Sequence, residues 1–396
     1  MEEKVNFYID LANEKMNESI SHLQLELSKI RAGRASTSIL DGVLVDYYGT
    51  PTAINNMASL STPDARTIVI QPWEKNLLTE IVNILSPRYG GTYIDCTFGN
   101  GGYSKKILEN KKNKIFAIDR DLDSLKVLNR FKKKYQNRFE FKNSKFSEII
   151  NSCKNVKNIK GIIFDLGYST TQIRDPKKGL SFNTKGKLNM QMGFNNFSAD
   201  EVINNLSQSE LVKIFKFFGE ENKSNIISKK IISLRKNKKI QTEDLVNIIN
   251  SVKKKKYHRT HNATKVFQAI RIFVNNEISE LINGLINSFK ILPVGGIIVI
   301  VSFHSIEDKI VKFFLKNYSE NKNDSRYLPY RSEKKNLFKL IEKKPITPGE
   351  KELNLNPPSR SAKLRYGIKL NNNNDFSDFI KKFSYLLEVE NLSKNL

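Results

Sequence analysis

The sequence predicts an α/β protein: a mostly parallel sheet carrying a helical insertion, with a smaller α+β unit in front. Strand-like and helix-like runs alternate from Tyr93 through Lys114 to Asp119, Phe139 to Phe141 and Gly161 to Leu166, as in parallel strands joined by crossover helices. A Lys-rich, mostly helical stretch from about Thr170 to His261 interrupts that rhythm. The longest apolar run, Gly295 to Phe303, is far shorter than the roughly 20 residues of a membrane span and reads as a buried strand.

In chain order, Val5, Ile9, Ala12, Met16, Ile20, Leu23, Leu27 and Ile30 make one apolar stripe on a long helix over residues 1 to 31. The pattern then changes to period two at Val43, Val45 and Tyr47, with a turn at Gly49-Thr50-Pro51 and another strand at Thr67 to Ile70. After the insertion come a helix near Val266 to Phe289 and the strand within Gly296 to Phe303. Beyond these lie loops and short strands to Leu370, the polar run Asn371 to Asn374, and a helix-like tail. The expected domains are 1–76; 77–169 with 262–370; an insertion over 170–261; and a polar tail over 371–396.

At 396 residues, two or three domains are expected, and 39% hydrophobic residues suffice for a sizeable core. Lys and Arg number 66 against 41 Asp and Glu, a formal charge of +25 that favours an anionic partner, nucleic acid above all. Abundant Lys, Asn and Ile also fit AT-rich coding, which makes many proteins basic. Two cysteines, Cys96 and Cys153, build neither a disulfide framework nor a zinc site, so no metal is expected. The acidic start Met1-Glu-Glu-Lys lacks the order of a signal peptide, so a cytoplasmic protein without a membrane segment is expected.

The sharpest local signal is Asp95-Cys-Thr-Phe-Gly99-Asn-Gly101-Gly102 between a strand and a helix, where glycines let the backbone approach a ligand closely. The next strand ends in Asp119, an acid placed to hold a ribose diol. A dinucleotide site would prefer a third glycine where Ser104 stands, so an adenosyl cofactor without a pyrophosphate, S-adenosylmethionine, is favoured over NAD. Asp165-Leu-Gly-Tyr-Ser ends a further strand, where a carboxylate faces the ligand crevice or caps a turn. Ser302-Phe-His304-Ser-Ile-Glu-Asp308 sits at the last strand's end. Its Ser, His and Asp are too local for a hydrolase triad, leaving His304 to touch a substrate base or to serve structure.

These segments, with Ala117-Ile-Asp-Arg-Asp121, Lys178-Gly-Leu-Ser-Phe182, Phe218-Gly-Glu-Glu221, Ala263 to Asn275 and Ser359-Arg-Ser-Ala-Lys-Leu-Arg365, occur in the order found in the MraW/RsmH family, which the chain resembles over about Leu77 to Leu370. The resemblance implies a Rossmann-like class I methyltransferase sheet that uses S-adenosylmethionine to methylate the N4 of a cytidine in the decoding centre of 16S rRNA. It implies cofactor contacts from Gly101, Gly102, Tyr103, Asp119, Phe146, Asp165 and Gln172, which Asp95 and Gly99 of the glycine loop are expected to join. Asn189, Gln191, Arg271, Ser302 and Arg360 are the expected substrate contacts. Asp165 and His304 are the catalytic candidates, Asp165 accepting an N–H of the attacking amine with backbone carbonyls near Gly167 as the alternative. The family's usual His is Tyr103 here, its Asp-Met-Arg-Met is Asn189-Met-Gln-Met192, the Arg after Ala-Thr is Lys265, and its opening His-x-Pro-Val is missing. Lys229, Lys230, Arg235, Lys238, Lys239 and Lys253 to Lys256 are candidates for gripping rRNA phosphates.

The front of the chain is similar to another family. Ile30-Arg-Ala-Gly-Arg-Ala35, Val45-Asp-Tyr-Tyr-Gly49, Thr62-Pro-Asp-Ala-Arg66 and Gln71-Pro-Trp-Glu-Lys75 resemble the start of ribosome recycling factor, up to about residue 82. That family's two closing helices have no counterpart, so the stripe of the long helix lacks partners unless it docks elsewhere or dimerises. The seam falls near Leu77 to Ile81. The alternative function is therefore a truncated recycling-factor fusion or chimera that binds ribosomes beside an impaired methyltransferase.

Overall fold

A computed structural model describes residues 15–23, 36–47, 50–54, 58–64, 67–72, 77–169, 172–173, 175–182, 187–253, 261–319 and 336–396. The chain divides into two units, Met1–Asn76 with Gly349–Pro357, and Leu77–Pro348 with Pro358–Leu396.

In the first unit residues 15–23 are helical, and Met16, Ile20 and Leu23 are exposed, so this part of the apolar stripe faces solvent. The rest of the expected helix lies outside the described residues. Strand β1 (Leu44–Tyr47) pairs antiparallel with β2 (Thr50–Ala53), Tyr47 opposite Thr50, and β3 (Ala58–Asp64) pairs antiparallel with β4 (Thr67–Pro72). Thr50 and Pro51, expected in a turn, already belong to β2. Pro51 is tolerated there because a two-stranded ribbon has only edge strands.

The second unit is built on a seven-stranded sheet. Helix α1 (Leu77–Leu85) leads to β5 (Gly91–Asp95), α2 (Gly102–Ile107), β6 (Asn113–Asp119), α3 (Leu125–Tyr135), β7 (Phe139–Asn143) and β8 (Ile159–Asp165). With β9 (Ile297–Ser302), β10 (Phe338–Lys339) and β11 (Lys363–Lys369), the strand order is β10-β11-β9-β8-β5-β6-β7. The five strands from β7 to β9 run parallel, and β11 is antiparallel to both β9 and β10. Every residue of β5 is buried, as is Ile162-Ile-Phe164 of β8, because a parallel sheet covered on both faces needs continuous apolar strands. Gly161 admits the side chain of Leu85 from α1, since a Cβ there would lie 2.4 Å from Leu85 Cδ2. Strand order reverses between β5 and β8, which opens a crevice beyond their carboxyl ends.

The stretch expected as an inserted domain holds α4 (Ala199–Asn205), α5 (Gln208–Gly219), α6 (Ser224–Arg235) and α7 (Thr242–Val252). Capping boxes at Ser198/Glu201, Ser207/Glu210 and Gln241/Asp244 start three of them. They are not walled off from the sheet. Phe197 and Phe218 pack on Phe273 of α8 (Thr264–Asn275), and all three belong to one core cluster with α9 (Glu277–Ile291), α10 (Ser305–Asn317) and one face of the sheet.

The expected polar tail needs correction. Helix α11 (Ser377–Glu390) buries Phe379, Phe383, Leu386 and Val389, with Phe379 stacked on Phe313 of α10 at 6.2 Å between ring centroids. Its buried Glu390 accepts hydrogen bonds from the N–H groups of Ile278 (2.7 Å) and Ser279 (2.9 Å), capping α9 from a distant part of the chain. Burial pushes that carboxyl up to about 7. The Asn371 to Asn374 run suggests an ending, yet the apolar residues after it keep helical spacing. Among the described residues, no helix is long and apolar enough to cross a membrane.

Candidate active site at the carboxyl edge of the sheet

The glycines of the first loop serve three different purposes. Gly101 has φ +76°, and a Cβ there would lie 2.5 Å from the Phe131 ring of α3. Gly99 has φ +49° and donates its N–H to Asp119 Oδ2 at 2.6 Å. Gly102 is exposed with nothing within 4 Å of the place a side chain would take, so its backbone is open to a ligand. Asp95, expected to contact the cofactor, is fully buried; its Oδ2 accepts from Ser104 Oγ (2.7 Å) and its Oδ1 from the Thr97 N–H (3.2 Å). It braces the loop from below and does not reach a ligand. Burial raises its carboxyl to about 6, against the pull of those two bonds.

Asp119 ends β6 and lines a cavity of about 500 Å³ together with Gly99, Asn100, Asp121, Ser169 and Gln172. Its Oδ1 accepts the Asp121 N–H at 2.8 Å, so the carboxylate is fixed from two sides while remaining partly exposed. Asp121 in turn accepts from Gln172 Nε2 and Lys178 Nζ, and Lys178 also meets Asp123 at 3.0 Å. Burial works to raise the Asp121 carboxyl, but Lys178 and Gln172 hold it below its ordinary value. Gln172 is therefore a clasp between the loops after β6 and β8. Phe146, expected beside an adenine, turns inward instead. Its ring meets Phe164 edge-on at 5.3 Å and fills the notch left by Gly284, and it does not line the cavity.

Asp165 closes β8, its backbone N–H held by Thr97 Oγ1 at 2.7 Å. The carboxylate accepts from Tyr103, yet its Oδ1 is shut off from solvent with no hydrogen-bond partner. Burial, reinforced by repulsion from Asp95 and Glu307, pushes this carboxyl up to about 7 despite the Tyr103 bond. An unsatisfied buried acceptor is costly and rare. Asp165 does not itself line the cavity beside Asp119.

His304 is the N-cap of α10. Its Nδ1 accepts the Glu307 N–H at 3.4 Å, and its Nε2 lies 3.0 Å from Glu307 Oε1. Burial would raise the Glu307 carboxyl, but His304 and Arg271 hold it below its ordinary value. The structure gives His304 a capping role at α10 through Nδ1, while its Nε2, buried and near Glu307, has no hydrogen-bond partner. Arg271 is no substrate arm. It is buried, forms a two-pronged pair with Glu277 (2.8 and 2.7 Å), and lies 4.9 Å above the Tyr168 ring centroid. Glu277, His304 and Glu307 bring one ligand atom each within 4.8 Å of one another, but the Arg271 guanidinium already balances Glu277.

Three more expected substrate contacts point elsewhere. Ser302 is buried, with Oγ on the Lys363 carbonyl at 3.3 Å. Asn189 Nδ2 donates to the Lys177 carbonyl (3.2 Å) and Gln191 Nε2 to the Phe197 carbonyl (3.0 Å), so both brace their own loop. Arg360 is exposed shortly before β11, whose Lys363 pairs with Ser302 at the carboxyl end of β9. Of the insertion's basic residues, Lys229 is exposed, while Arg235 binds the carbonyls of Ile203 and Leu206, Lys238 pairs with Asp244, Lys239 with Asp200 and Lys253 with Glu221. Lys254 to Lys256 lie outside the described residues.

Sequence reasoning missed Arg120 and Asn275. Arg120 donates Nε and Nη2 to the Gly193 carbonyl (3.1 and 2.7 Å) and Nη1 to the Asn275 carbonyl (2.9 Å). The Asn275 side chain holds the Met190 carbonyl (2.8 Å) and the Met192 N–H (2.9 Å), and together they strap the 189–197 loop beside Asp119. Both residues stand inside quoted motifs. Their pairing across 155 positions leaves no local signal.

A model of the MraW methylase family matches residues 72–370, and one of ribosome recycling factor matches residues 23–90; the overlap contains the seam expected near Leu77 to Ile81. Ribosomal RNA small subunit methyltransferase H of Orientia tsutsugamushi (strain Ikeda) is 40% identical over 303 residues, covering 74% of this chain and 97% of the relative. Its counterpart in Rickettsia bellii (strain OSU 85-389) is 39% identical over 309 residues, 76% of this chain and 99% of the relative. An rRNA methylase structure from Streptococcus thermophilus aligns with 75% of this chain and 98% of its own at 12% identity and a TM-score of 0.32, a likeness too loose to carry an inference. The glycine loop, Asp119 and the acid ending β8 thus sit in a chain that belongs to the MraW methylase family, enzymes that take their methyl group from S-adenosylmethionine.

Proposed function

We propose that this chain methylates the N4 amino group of a cytidine in the decoding centre of 16S rRNA, within the small ribosomal subunit. The reading is carried by Asp165, whose buried Oδ1 lacks a donor at the carboxyl edge of the sheet. Ribosomal RNA as the substrate is supported by the names of the relatives and by the +25 charge.

The residues present fit the adenosyl cofactor. The open backbone at Gly102 admits its methionine part, and Asp119, fixed by the N–H groups of Gly99 and Asp121, keeps lone pairs for a ribose diol. When bound, S-adenosylmethionine supplies an electrophilic methyl group. The chain's own contribution is orientation and exclusion of water. The cytosine amino group is a poor nucleophile because its lone pair delocalises into the ring. An N4–H donated to Asp165 Oδ1 returns electron density to the nitrogen and fixes its direction. The surplus proton then leaves to water, so no strong base is needed. The target base must leave its stack to reach this depth.

The test is transfer of labelled methyl from S-adenosylmethionine to small subunits lacking the modification, followed by mapping of the nucleoside. N4-methylcytidine at the decoding centre is the expected product; label on another atom overturns the N4 assignment. The recycling-factor match over residues 23–90 motivates the second reading. A chain that sediments with ribosomes but transfers no label favours that reading instead.

A further inference from the structure

We propose that Tyr168 is the stacking platform for the base that is methylated, with Arg271 as the positioning residue that sets the plane of its ring. The inference deepens the methyltransferase reading and rests on it. Tyr168 follows Asp165 by three residues on the same strand-to-loop exit and is 44% exposed, whereas Phe164 in the strand behind it is fully buried. The turn between them depends on Gly167 at φ +96°, a backbone state that L side chains rarely adopt.

The guanidinium of Arg271 lies 4.9 Å over the ring centroid. Arg271 cannot drift, because Glu277 holds it by two bonds of 2.8 and 2.7 Å and the side chain is buried. An exposed aromatic ring is ordinarily free to rotate. This one is clamped from one face by an immobilised cation, and it stands three residues after the acid that ends β8. A planar base stacked on the free face of the ring would be held by its π surface at the same strand exit as Asp165. The ligand class is an unstacked nucleobase with an exocyclic amino group.

Single-turnover methylation of unmodified small subunits, with cofactor affinity and Tm measured alongside, tests the assignment on the full chain. Tyr168→Leu keeps cover over Arg271 without a π face and is expected to lower kcat/KM about 10-fold to 100-fold, the range for loss of one base–aromatic stack. Cofactor Kd and Tm should stay at the wild-type values, and Tyr168→Phe should stay within about threefold of wild type. Wild-type rates in Tyr168→Leu, or an equal loss in Tyr168→Phe, would overturn the platform while leaving the methyltransferase reading intact. Failure of the wild-type chain to methylate any cytidine overturns both.

Discussion

The two halves of the sheet's carboxyl edge differ in how completely their polar groups are paired. On the β5/β6 side Asp95, Asp119 and Asp121 each accept at least two hydrogen bonds from neighbouring loops. On the β8/β9 side Asp165 keeps a buried oxygen without a donor, three residues before an exposed tyrosine. The first half is a finished cradle, rigid before anything binds. Among the described residues the second keeps two buried polar atoms without hydrogen-bond partners, Asp165 Oδ1 and His304 Nε2, and in the proposed reading a nucleobase completes it.

Substitutions can break this contrast from either side. The largest effect is expected at Asp165. Asp165→Asn replaces the anionic acceptor and should lower kcat about 100-fold to 1000-fold in a single-turnover assay, the usual scale for a group that acts on the moving proton or charge. On the cradle side Gly101→Ala should cost about 2–4 kcal/mol of stability, from the left-handed backbone and the clash with Phe131 together, read as a lower Tm and weaker cofactor binding.

The acid dependence of the reaction sharpens the same contrast. Burial lifts Asp165 to about 7, so its carboxylate is lost as pH falls through that value. Below it, kcat/KM should fall about tenfold per pH unit, level off above it, and become flat in Asp165→Asn. Asp119→Ala should weaken cofactor binding about 10-fold without changing the pH profile, because it removes a paired acceptor from the cradle alone. Far from both halves, Glu390→Ala leaves the Ile278 and Ser279 N–H groups unpaired and should cost about 2 kcal/mol, seen as a lower Tm at unchanged methylation rate.

The cradle was the legible half. Glycine spacing and the acid ending β6 follow from backbone geometry within a few residues, as does the acid ending β8 in the other half, and strand alternation declares the parallel sheet. Side chains that resolve only in three dimensions were misread. His304 and Ser302 stand at a strand end, where ligands bind, yet one caps α10 and the other closes on Lys363. Arg271, expected to contact the substrate, is claimed instead by Glu277 on the next helix. Asp95 shows the same confusion of place with exposure. Helix α11 is the expected helix-like tail, but the asparagine run before it hid its burial and the reach of its glutamate to a helix more than a hundred positions earlier.

The most direct measurement of the contrast is calorimetric binding of S-adenosylmethionine to the wild-type chain and to Asp165→Asn, set beside their single-turnover methylation of unmodified small subunits. A cradle complete without Asp165 requires cofactor affinity to agree within about threefold while the methylation rate falls at least 100-fold. A parallel loss of affinity and rate would place Asp165 in the cradle and contradict the division of the site into a finished half and a waiting one.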